Sequence, residues 1–231
     1  MMRGHLMVNE IFGPTFQGEG PSVGQLAMFL RLSRCNLSCT WCDTPYTWDF
    51  RRFDLAEETN LLAPAEVVER LRAIDAPVVV VTGGEPLLQQ ETLGPVLDAC
   101  RADGRRVEVE TNGTLRPNEQ LLNAATSLNV SPKLANSGLA LRRRIHPRIL
   151  RELAASGKAI FKFVVERQGD LDEIARIEAR LGIRPIWVMP QGQTAEEIAG
   201  VMRDIADAVV ARGWNLSTRL QVTLWGTARG R

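Results

Sequence analysis

The chain has 231 residues, of which 45% are hydrophobic and 24% charged, and its formal net charge at pH 7 is +1. These values are typical of one globular domain, here residues 1–231, and they indicate neither a nucleic-acid nor a membrane partner. No apolar run approaches the roughly 20 residues that cross a bilayer, and residues 1–9 lack the apolar stretch of a signal peptide. We therefore expect a cytoplasmic protein.

Strands and helices are predicted to alternate along the chain. Short apolar runs predict strands at 25–32, 77–81, 107–110, 128–130, 159–165, 185–189 and 219–224. Apolar residues at helical spacing predict helices at 64–74, 86–102, 147–155, 171–181 and 198–209. Residues 11–20 precede the first predicted strand, and one interpretation of them is a glycine-rich loop that leads into the rest of the fold. Residues 49–63 are polar and irregular, and they are predicted to be an insertion.

This alternation predicts an α/β fold with a parallel sheet and right-handed crossovers. About six βα units are too few for a complete eight-stranded barrel, so a partial, open (βα)6-type barrel is favoured over a flat doubly wound sheet. In either architecture ligands bind at the C-terminal ends of the strands. The segments that follow the predicted strands are therefore the first candidates for a functional site.

Three of the four cysteines, Cys35, Cys39 and Cys42, lie within eight positions directly after the first predicted strand. Three thiolates can hold three irons of a [4Fe-4S] cluster and leave the fourth iron open to a non-protein ligand. Structural zinc prefers a fourth tetrahedral ligand, but Cys100 lies on the apolar face of a predicted helix and the two histidines have no ligand spacing. A zinc-stabilised binding module is therefore the non-enzymatic alternative.

The C-x3-C-x2-C spacing, with Trp41 before the third cysteine, resembles the signature of radical S-adenosylmethionine (SAM) enzymes. The resemblance implies that SAM binds the open iron, with Trp41, Cys42 and Asp43 beside it. It also implies that the reduced cluster splits SAM into methionine and a 5′-deoxyadenosyl radical.

The segment Thr82-Gly83-Gly84-Glu85-Pro86 follows the second predicted strand. Glycines allow the backbone to approach a ligand closely, and a carboxylate can pair with an ammonium group. Resemblance to the superfamily implies that Gly83, Gly84 and Glu85 bind the amino group of SAM. The alternative is a strand-to-helix turn with proline at the first helical position.

Three further segments end predicted strands and carry cofactor roles that only the resemblance implies. Glu110 is expected at the ribose of SAM. The other implied SAM-binding residues are Ser131, Pro132, Lys133, Met189, Pro190, Gln191 and Gly192. For each segment the alternative is a turn that simply ends a strand.

The combination of F-Q-G-E-G at 16–20, an arginine in the first predicted strand and C-D-T at 42–44 resembles the 7-carboxy-7-deazaguanine synthase family. The resemblance covers nearly the whole chain. It implies an Mg²⁺-dependent lyase that converts 6-carboxy-5,6,7,8-tetrahydropterin to 7-carboxy-7-deazaguanine and ammonia by radical ring contraction, in the 7-deazapurine and queuosine pathway. The N-terminal segment 10–22 would bind substrate, and the loop 35–48 would hold the cluster.

The chemistry of a pterin carboxylate suits the residues that this family uses. Amide and amine edges match backbone groups and a carboxylate, and a substrate carboxylate matches a guanidinium group. The implied substrate-binding residues are Phe16, Gln17, Gly18, Glu19, Arg31 and Thr82. The hydroxyl of Thr44 is implied as a ligand of Mg²⁺, which accepts few protein ligands. The alternative for Thr44 is a hydroxyl that caps the loop.

One stretch departs from the family pattern, because residues 219–225 contain no histidine where the family often has one near the substrate. Gln221 or Thr223 is the candidate for that place. Among enzymes, the alternative function is a glycyl-radical-enzyme activase or another small radical SAM enzyme. The resemblance further implies an electron donor such as flavodoxin or ferredoxin, and a homodimer.

Overall fold

The computed structural model describes residues 4–231. Met1 to Arg3, which belong to the predicted domain 1–231 and to the segment searched for a signal peptide, lie outside the described residues. Within the described part of the chain, no helix has both the length and the apolar character needed to cross a membrane.

Nine strands of the described chain form one sheet in the order β3-β1-β2-β4-β5-β6-β7-β8-β9. The bounds are β1 Leu6–Phe16, β2 Leu26–Leu32, β3 Asn60–Leu62, β4 Val78–Gly83, β5 Arg106–Thr111, β6 Ser127–Val130, β7 Ala159–Val165, β8 Ile186–Pro190 and β9 Asn215–Leu216. From β2 onward neighbouring strands are parallel, whereas β1 is antiparallel to β2 and β3. The order runs from β3 to β9 without closing, which confirms the predicted open barrel.

The helices between β3 and β9 connect strands and cover the outer face of the sheet, whereas one short helix precedes β3 and another follows β9. Their bounds are α1 Leu55–Glu58, α2 Pro64–Arg72, α3 Gln90–Ala102, α4 Glu119–Ala124, α5 Leu141–Arg144, α6 Pro147–Ala155, α7 Asp170–Leu181, α8 Ala195–Ala211 and α9 Leu220–Trp225. The longest of them, α8, begins with a capping box in which the Thr194 hydroxyl accepts from Glu197 N and the Glu197 side chain accepts from Thr194 N.

Alternation along each strand divides the sheet into an apolar outer face and a mixed inner face. On β4, Val79 and Val81 belong to the main core between the sheet and the helices. Val78 and Val80 instead belong to a small inner cluster with neighbours on β2. Further toward the strand ends the inner positions become polar. The interior of the open barrel therefore offers hydrogen-bonding groups where its strands end.

Two predictions for the amino-terminal half were wrong. The interpretation of residues 11–20 as a loop was wrong, because β1 continues to Phe16. Register shifts between Val8 and Glu10 and between Phe12 and Thr15 break the alternation that reveals a strand. The predicted insertion 49–63 contains α1 and β3, and β3 pairs with β1. A strand of three residues is too short to show a periodic pattern.

The predicted last strand 219–224 was also wrong, because these residues belong mostly to helix α9. Leucine and valine at 220, 222 and 224 alternate there with glutamine and threonine at 221 and 223, which favours a strand locally. However, the sheet ends at β9, and Leu220 N donates to Gly18 O at 2.9 Å. Tertiary contacts with the amino-terminal segment therefore decide the conformation.

Stability of the fold should depend on the outer core. Phe161 is fully buried on β7, so we expect Phe161→Ala to lower the free energy of unfolding by about 3–5 kcal/mol, since it removes apolar contacts and leaves a cavity. The matched control Val210→Ala, at a site that is 76% exposed, should change it by less than about 0.5 kcal/mol. Urea unfolding followed by far-ultraviolet circular dichroism measures both. Equal effects would contradict this description of the core.

Candidate functional site

The three clustered cysteines lie on the loop that follows β2, and all three are half-buried free thiols. Arg34 N donates to Thr47 O at 2.6 Å and closes the base of this loop. Arg34 itself has a φ of 74°, a left-handed conformation that costs a residue with a side chain some strain. The surrounding packing thus holds the chain in a tight turn just before Cys35.

The sulfur atoms receive hydrogen bonds from nearby N–H groups. Leu37 N donates to Cys35 Sγ at 3.4 Å, and Trp48 Nε1 donates to Cys42 Sγ at 3.3 Å. Burial raises the pKa of the Cys35 thiol to about 12. Burial also raises the pKa of Cys39, against the attraction of Lys133. N–H donors of this kind suit the anionic sulfurs of an iron–sulfur cluster.

The donor set fits an iron–sulfur cluster better than a zinc ion. Between residues 4 and 231, no group of three or more histidine, cysteine, aspartate or glutamate side chains is arranged to hold one metal ion. A four-iron cluster separates its thiolate ligands more widely than a single ion does. Cys100 is buried in the main core, as its apolar helix face predicted, so it is not a fourth ligand for this loop.

The aromatic residue of the cysteine motif is held by a residue that the sequence analysis did not single out. Trp41 Nε1 donates to Asn136 Oδ1 at 3.2 Å, and Asn136 in turn donates to Val164 O at 3.1 Å. Lys133 Nζ lies 5.5 Å from the centre of the Trp41 ring and donates to Ser131 Oγ at 2.9 Å. The predicted S-P-K segment and the cysteine loop therefore meet.

The two glycines after β4 are required by the chain itself. A Cβ at Gly83 would lie 2.1 Å from Leu32 O, and one at Gly84 would lie 2.0 Å from Arg34 O. Gly84 N also donates to Leu32 O at 2.9 Å. The glycines thus let the end of β4 pack directly against the base of the cysteine loop. This packing requires glycine at both positions, in addition to the predicted close approach of the backbone to SAM.

Glu85 is enclosed, and its carboxylate is already paired. Its Oε1 accepts from Leu87 N at 3.0 Å and from Thr111 Oγ1 at 2.8 Å, and its Oε2 accepts from Asn112 N at 2.7 Å. Burial raises the pKa of Glu85, although these donors oppose the rise. In this arrangement Glu85 joins the ends of β4 and β5, and its predicted contact with an ammonium group stays a prediction.

Two asparagines that the sequence analysis did not assign fasten the cysteine loop to the end of β5. Asn112 Nδ2 donates to Asn36 Oδ1 at 2.9 Å, and Asn36 Nδ2 donates to Thr114 Oγ1 at 2.8 Å. Asn36 lies inside the cysteine motif and Asn112 inside E-T-N-G. Both asparagines could therefore have been identified from the sequence as candidate residues of the site. The amide groups fix the relative position of two segments predicted to bind the cofactor.

Five charged side chains of alternating sign cross the inner face at the mouth of the barrel, and we call them the inner charge network. In spatial order they are Glu110, Lys162, Glu19, Arg219 and Asp43. Lys162 Nζ lies 3.6 Å from Glu110 Oε1 and donates to Glu19 Oε2 at 2.5 Å. Thr82 Oγ1 donates to Glu110 Oε2 at 2.7 Å. The predicted substrate and cofactor residues are thereby linked through Lys162.

Arg219 continues the inner charge network to the cysteine loop. Its Nε donates to Glu19 Oε1 at 3.3 Å, its Nη1 to Gly192 O at 2.6 Å and its Nη2 to Asp43 Oδ2. One guanidinium group thus joins three segments that were predicted separately, namely F-Q-G-E-G, C-D-T and M-P-Q-G. The sequence analysis missed this residue because its stretch was predicted to be a strand.

Helix α9 packs on the amino-terminal segment. Gln221 Nε2 donates to Glu19 Oε1 at 2.9 Å, and a Cβ at Gly18 would lie 1.7 Å from Gln221 Oε1, so only glycine fits there. Of the two residues suggested for the missing histidine, Gln221 is the one in contact with a predicted substrate residue. Gln17 is also buried, and its backbone N–H donates to Gln25 O at 2.9 Å.

The remaining predicted residues differ in how close they lie to the strand ends. Arg31 lies at the end of β2, where its Nε donates to Glu10 Oε1 at 2.6 Å. Met189 and Pro190 end β8. Phe16 lies apart, because it pairs with Leu26 at the start of β2 and its ring stacks on Trp225 with centroids 6.3 Å apart. Its predicted contact with substrate stays a prediction.

Thr44 follows the last cysteine of the motif. Its hydroxyl makes no hydrogen bond that caps the turn Pro45–Thr47, so the structure does not support the capping alternative. Thr44 Oγ1 lies 3.7 Å from Cys42 Sγ, beside the cysteine loop. A hydroxyl that does not cap the turn and lies beside the cysteine loop fits the oxygen-ligand chemistry of Mg²⁺.

Comparison with known proteins agrees with this geometry. The Radical SAM superfamily matches residues 30–205. A 7-carboxy-7-deazaguanine synthase from Pyrobaculum aerophilum is 38% identical, covering 97% of this chain and 96% of its own. One from Hyperthermus butylicus is 35% identical, covering 94% and 92%. The crystal structure of QueE from Escherichia coli has a TM-score of 0.69 at 26% identity and covers 94% of both chains. The chain therefore belongs to the radical SAM superfamily and, within it, to the 7-carboxy-7-deazaguanine synthase family.

Proposed function

We propose that this protein converts 6-carboxy-5,6,7,8-tetrahydropterin to 7-carboxy-7-deazaguanine and ammonia by radical ring contraction, as a step in the queuosine pathway. The observation that carries the proposal is the contact of Arg219 with Glu19 and Asp43, because it brings the family's substrate segment against its cysteine loop. Relatives that share this chain's length are named for this product.

Cys35, Cys39 and Cys42 would hold the [4Fe-4S] cluster, and SAM would bind at its open iron. When bound, these groups supply a carbon-centred radical that takes a hydrogen atom from the substrate. The chain's own residues surround the SAM site: Trp41, Gly83, Gly84, Glu110, Ser131, Pro132, Lys133, Met189, Pro190, Gln191 and Gly192. Several of these are interlocked by hydrogen bonds, which supports a pocket formed before the cofactor binds.

The substrate side of the proposal rests on charge and shape. Glu19 would accept N–H groups from the amine and amide edge of the pterin. Arg31 would donate to the substrate carboxylate, since a guanidinium group matches a carboxylate with two parallel hydrogen bonds. Gly18 packs closely against Gln221, and the adjacent Glu19 side chain is only 16% exposed, so little water reaches this carboxylate.

A bound Mg²⁺ ion belongs to the proposal, with the Thr44 hydroxyl as its protein ligand and substrate oxygens and water as the others. Its chemistry would be to hold the substrate carboxylate in place. The Thr44 hydroxyl supports this assignment, because it does not cap the following turn and lies beside the cysteine loop.

We also propose that the chain forms one domain and acts as a homodimer in the cytoplasm, with flavodoxin or ferredoxin as electron donor. The clustering of three cysteines in one loop, which is typical of metal or redox chemistry and not of a disulfide scaffold, supports a reducing compartment.

Turnover tests the proposed function directly. Protein purified without air should be brown and contain about four irons per chain. With SAM and a reductant, it should convert 6-carboxytetrahydropterin to a deazaguanine chromophore, which absorbance and mass spectrometry detect. Cys39→Ala should lose the cluster and the turnover, because one of three thiolates is missing. A cluster-loaded protein that cleaves SAM yet leaves the pterin unchanged would refute the proposed substrate.

Removing the Thr44 hydroxyl tests the magnesium site. We expect Thr44→Val to keep its iron and sulfide content but to need at least about tenfold more Mg²⁺ for half-maximal turnover, since a metal ligand is lost. Thr44→Ser retains a hydroxyl and is the matched control, with near-normal Mg²⁺ activation. If Thr44→Val responds to Mg²⁺ as the unaltered protein does, Thr44 is not the ligand.

A further inference from the structure

Lys162 is a buried cation that neither the cysteine motif nor the family resemblance assigned. It lies in the middle of β7 on the inner face, and its side chain is 7% exposed. A buried ammonium group is costly unless carboxylates pair with it. Its two partners are Glu19 from the amino-terminal segment and Glu110 from β5.

The carboxylate of Glu19 is held from several directions. Lys162 occupies Oε2, while Arg219 and Gln221 occupy Oε1. A carboxylate offers about four acceptor positions, so one position on Oε2 stays available. The donors come from β7 and from the residues at α9. Together they fix the orientation of the Glu19 side chain and therefore the direction in which its remaining acceptor position points.

We propose that Lys162 is a positioning residue that fixes the Glu19 carboxylate as a charged acceptor for an N–H group of the pterin. The proposal rests on the proposed function, since it takes the pterin as the ligand. Lys162 acts through Glu19 and makes no contact with the substrate. Its second carboxylate, Glu110, keeps the ammonium group in place when Glu19 binds substrate.

The electrostatics of the site support this role. Burial by itself raises the pKa of Glu19, but the attraction of Lys162 and Arg219 and the hydrogen bonds from Lys162 and Gln221 outweigh it and lower the pKa to about 2. Since this value lies below the ordinary 4.5, the carboxylate stays charged at every pH above it. Without Lys162 the effect of burial regains weight, and the pKa of Glu19 rises.

The consequence for binding has a definite sign. The ionised Glu19 carboxylate is the stronger acceptor for the substrate, because protonation places a hydrogen on one oxygen and removes the charge that strengthens the hydrogen bond. In Lys162→Met, whose side chain has similar length and no charge, affinity should therefore fall as the pH falls toward the raised pKa. The charged groups that lower the pKa of Glu19 are Lys162 and Arg219. The carboxylates of Glu110 and Asp43 are paired with these two cations.

The experiment measures binding of 6-carboxypterin to the cluster-loaded protein by anaerobic calorimetry with SAM present, from about pH 6 to about pH 8. We expect Lys162→Met to weaken binding at least about tenfold at neutral pH, and more at lower pH. The ratio of variant to unaltered dissociation constants cancels the titration of the ligand itself. Lys162→Arg should restore most of the affinity, because it keeps the charge.

A double-mutant cycle shows whether Lys162 acts through Glu19. In a Glu19→Gln background, Lys162→Met should cost little further affinity, since there is no charge left to hold. The double variant also removes both charges together, so it leaves no unpaired carboxylate at position 19 if the single variant fails to fold. Arg167→Met is the matched control, because Arg167 follows β7 but its side chain is 83% exposed.

Each outcome decides the proposal. An equal loss from Lys162→Met in both backgrounds would overturn it, as would a loss that is independent of pH and is not rescued by arginine. Cluster content and SAM binding should stay normal in all variants. If the unaltered protein cleaves SAM but neither binds 6-carboxypterin nor converts the tetrahydropterin, the proposed function itself fails, and this result is separate because it appears before any variant is compared.

Discussion

The pairing of buried charges on the inner face is the constraint on which the rest of the site depends. The Glu19 side chain is only 16% exposed, and an isolated carboxylate in such surroundings would be destabilised. Lys162 and Arg219 neutralise it, but they lie 143 and 200 residues away in sequence. The ion pairs can therefore form only when the amino-terminal segment, β7 and the start of α9 occupy their places together.

An open barrel makes this arrangement possible. The sheet runs from β3 to β9 without closing, so its interior is filled by chain segments as well as by strand side chains. The segment after β1 enters the interior, and α9 packs against it through Gln221. In a complete eight-stranded barrel, inward side chains from the strands fill this space. Here the same space holds charged groups that can form hydrogen bonds with a polar ligand.

Much of the fold and the centre of the site could be predicted from the sequence. Helices α6 and α7 and strands β2 and β7 follow from regular apolar spacing, and the three clustered cysteines identify their own chemistry. Strand β1 was not predicted, because its bulges break the alternation of apolar and polar residues. Helix α9 was not predicted, because its sequence favours a strand and its helical conformation depends on contact with residues 16–19. The roles of Asn136 and Lys162 were not predicted, because each residue is far in sequence from the partner that it binds.

The contact between Asp43 and Arg219 joins residues 176 positions apart. During synthesis on the ribosome, the cysteine loop emerges long before the arginine that fastens it to the rest of the inner face. A growing chain can thus present its thiols to iron before the cavity around them is enclosed. Only after α9 has been released can Arg219 connect Asp43 to Glu19, so the inner charge network is the last part of the site to form.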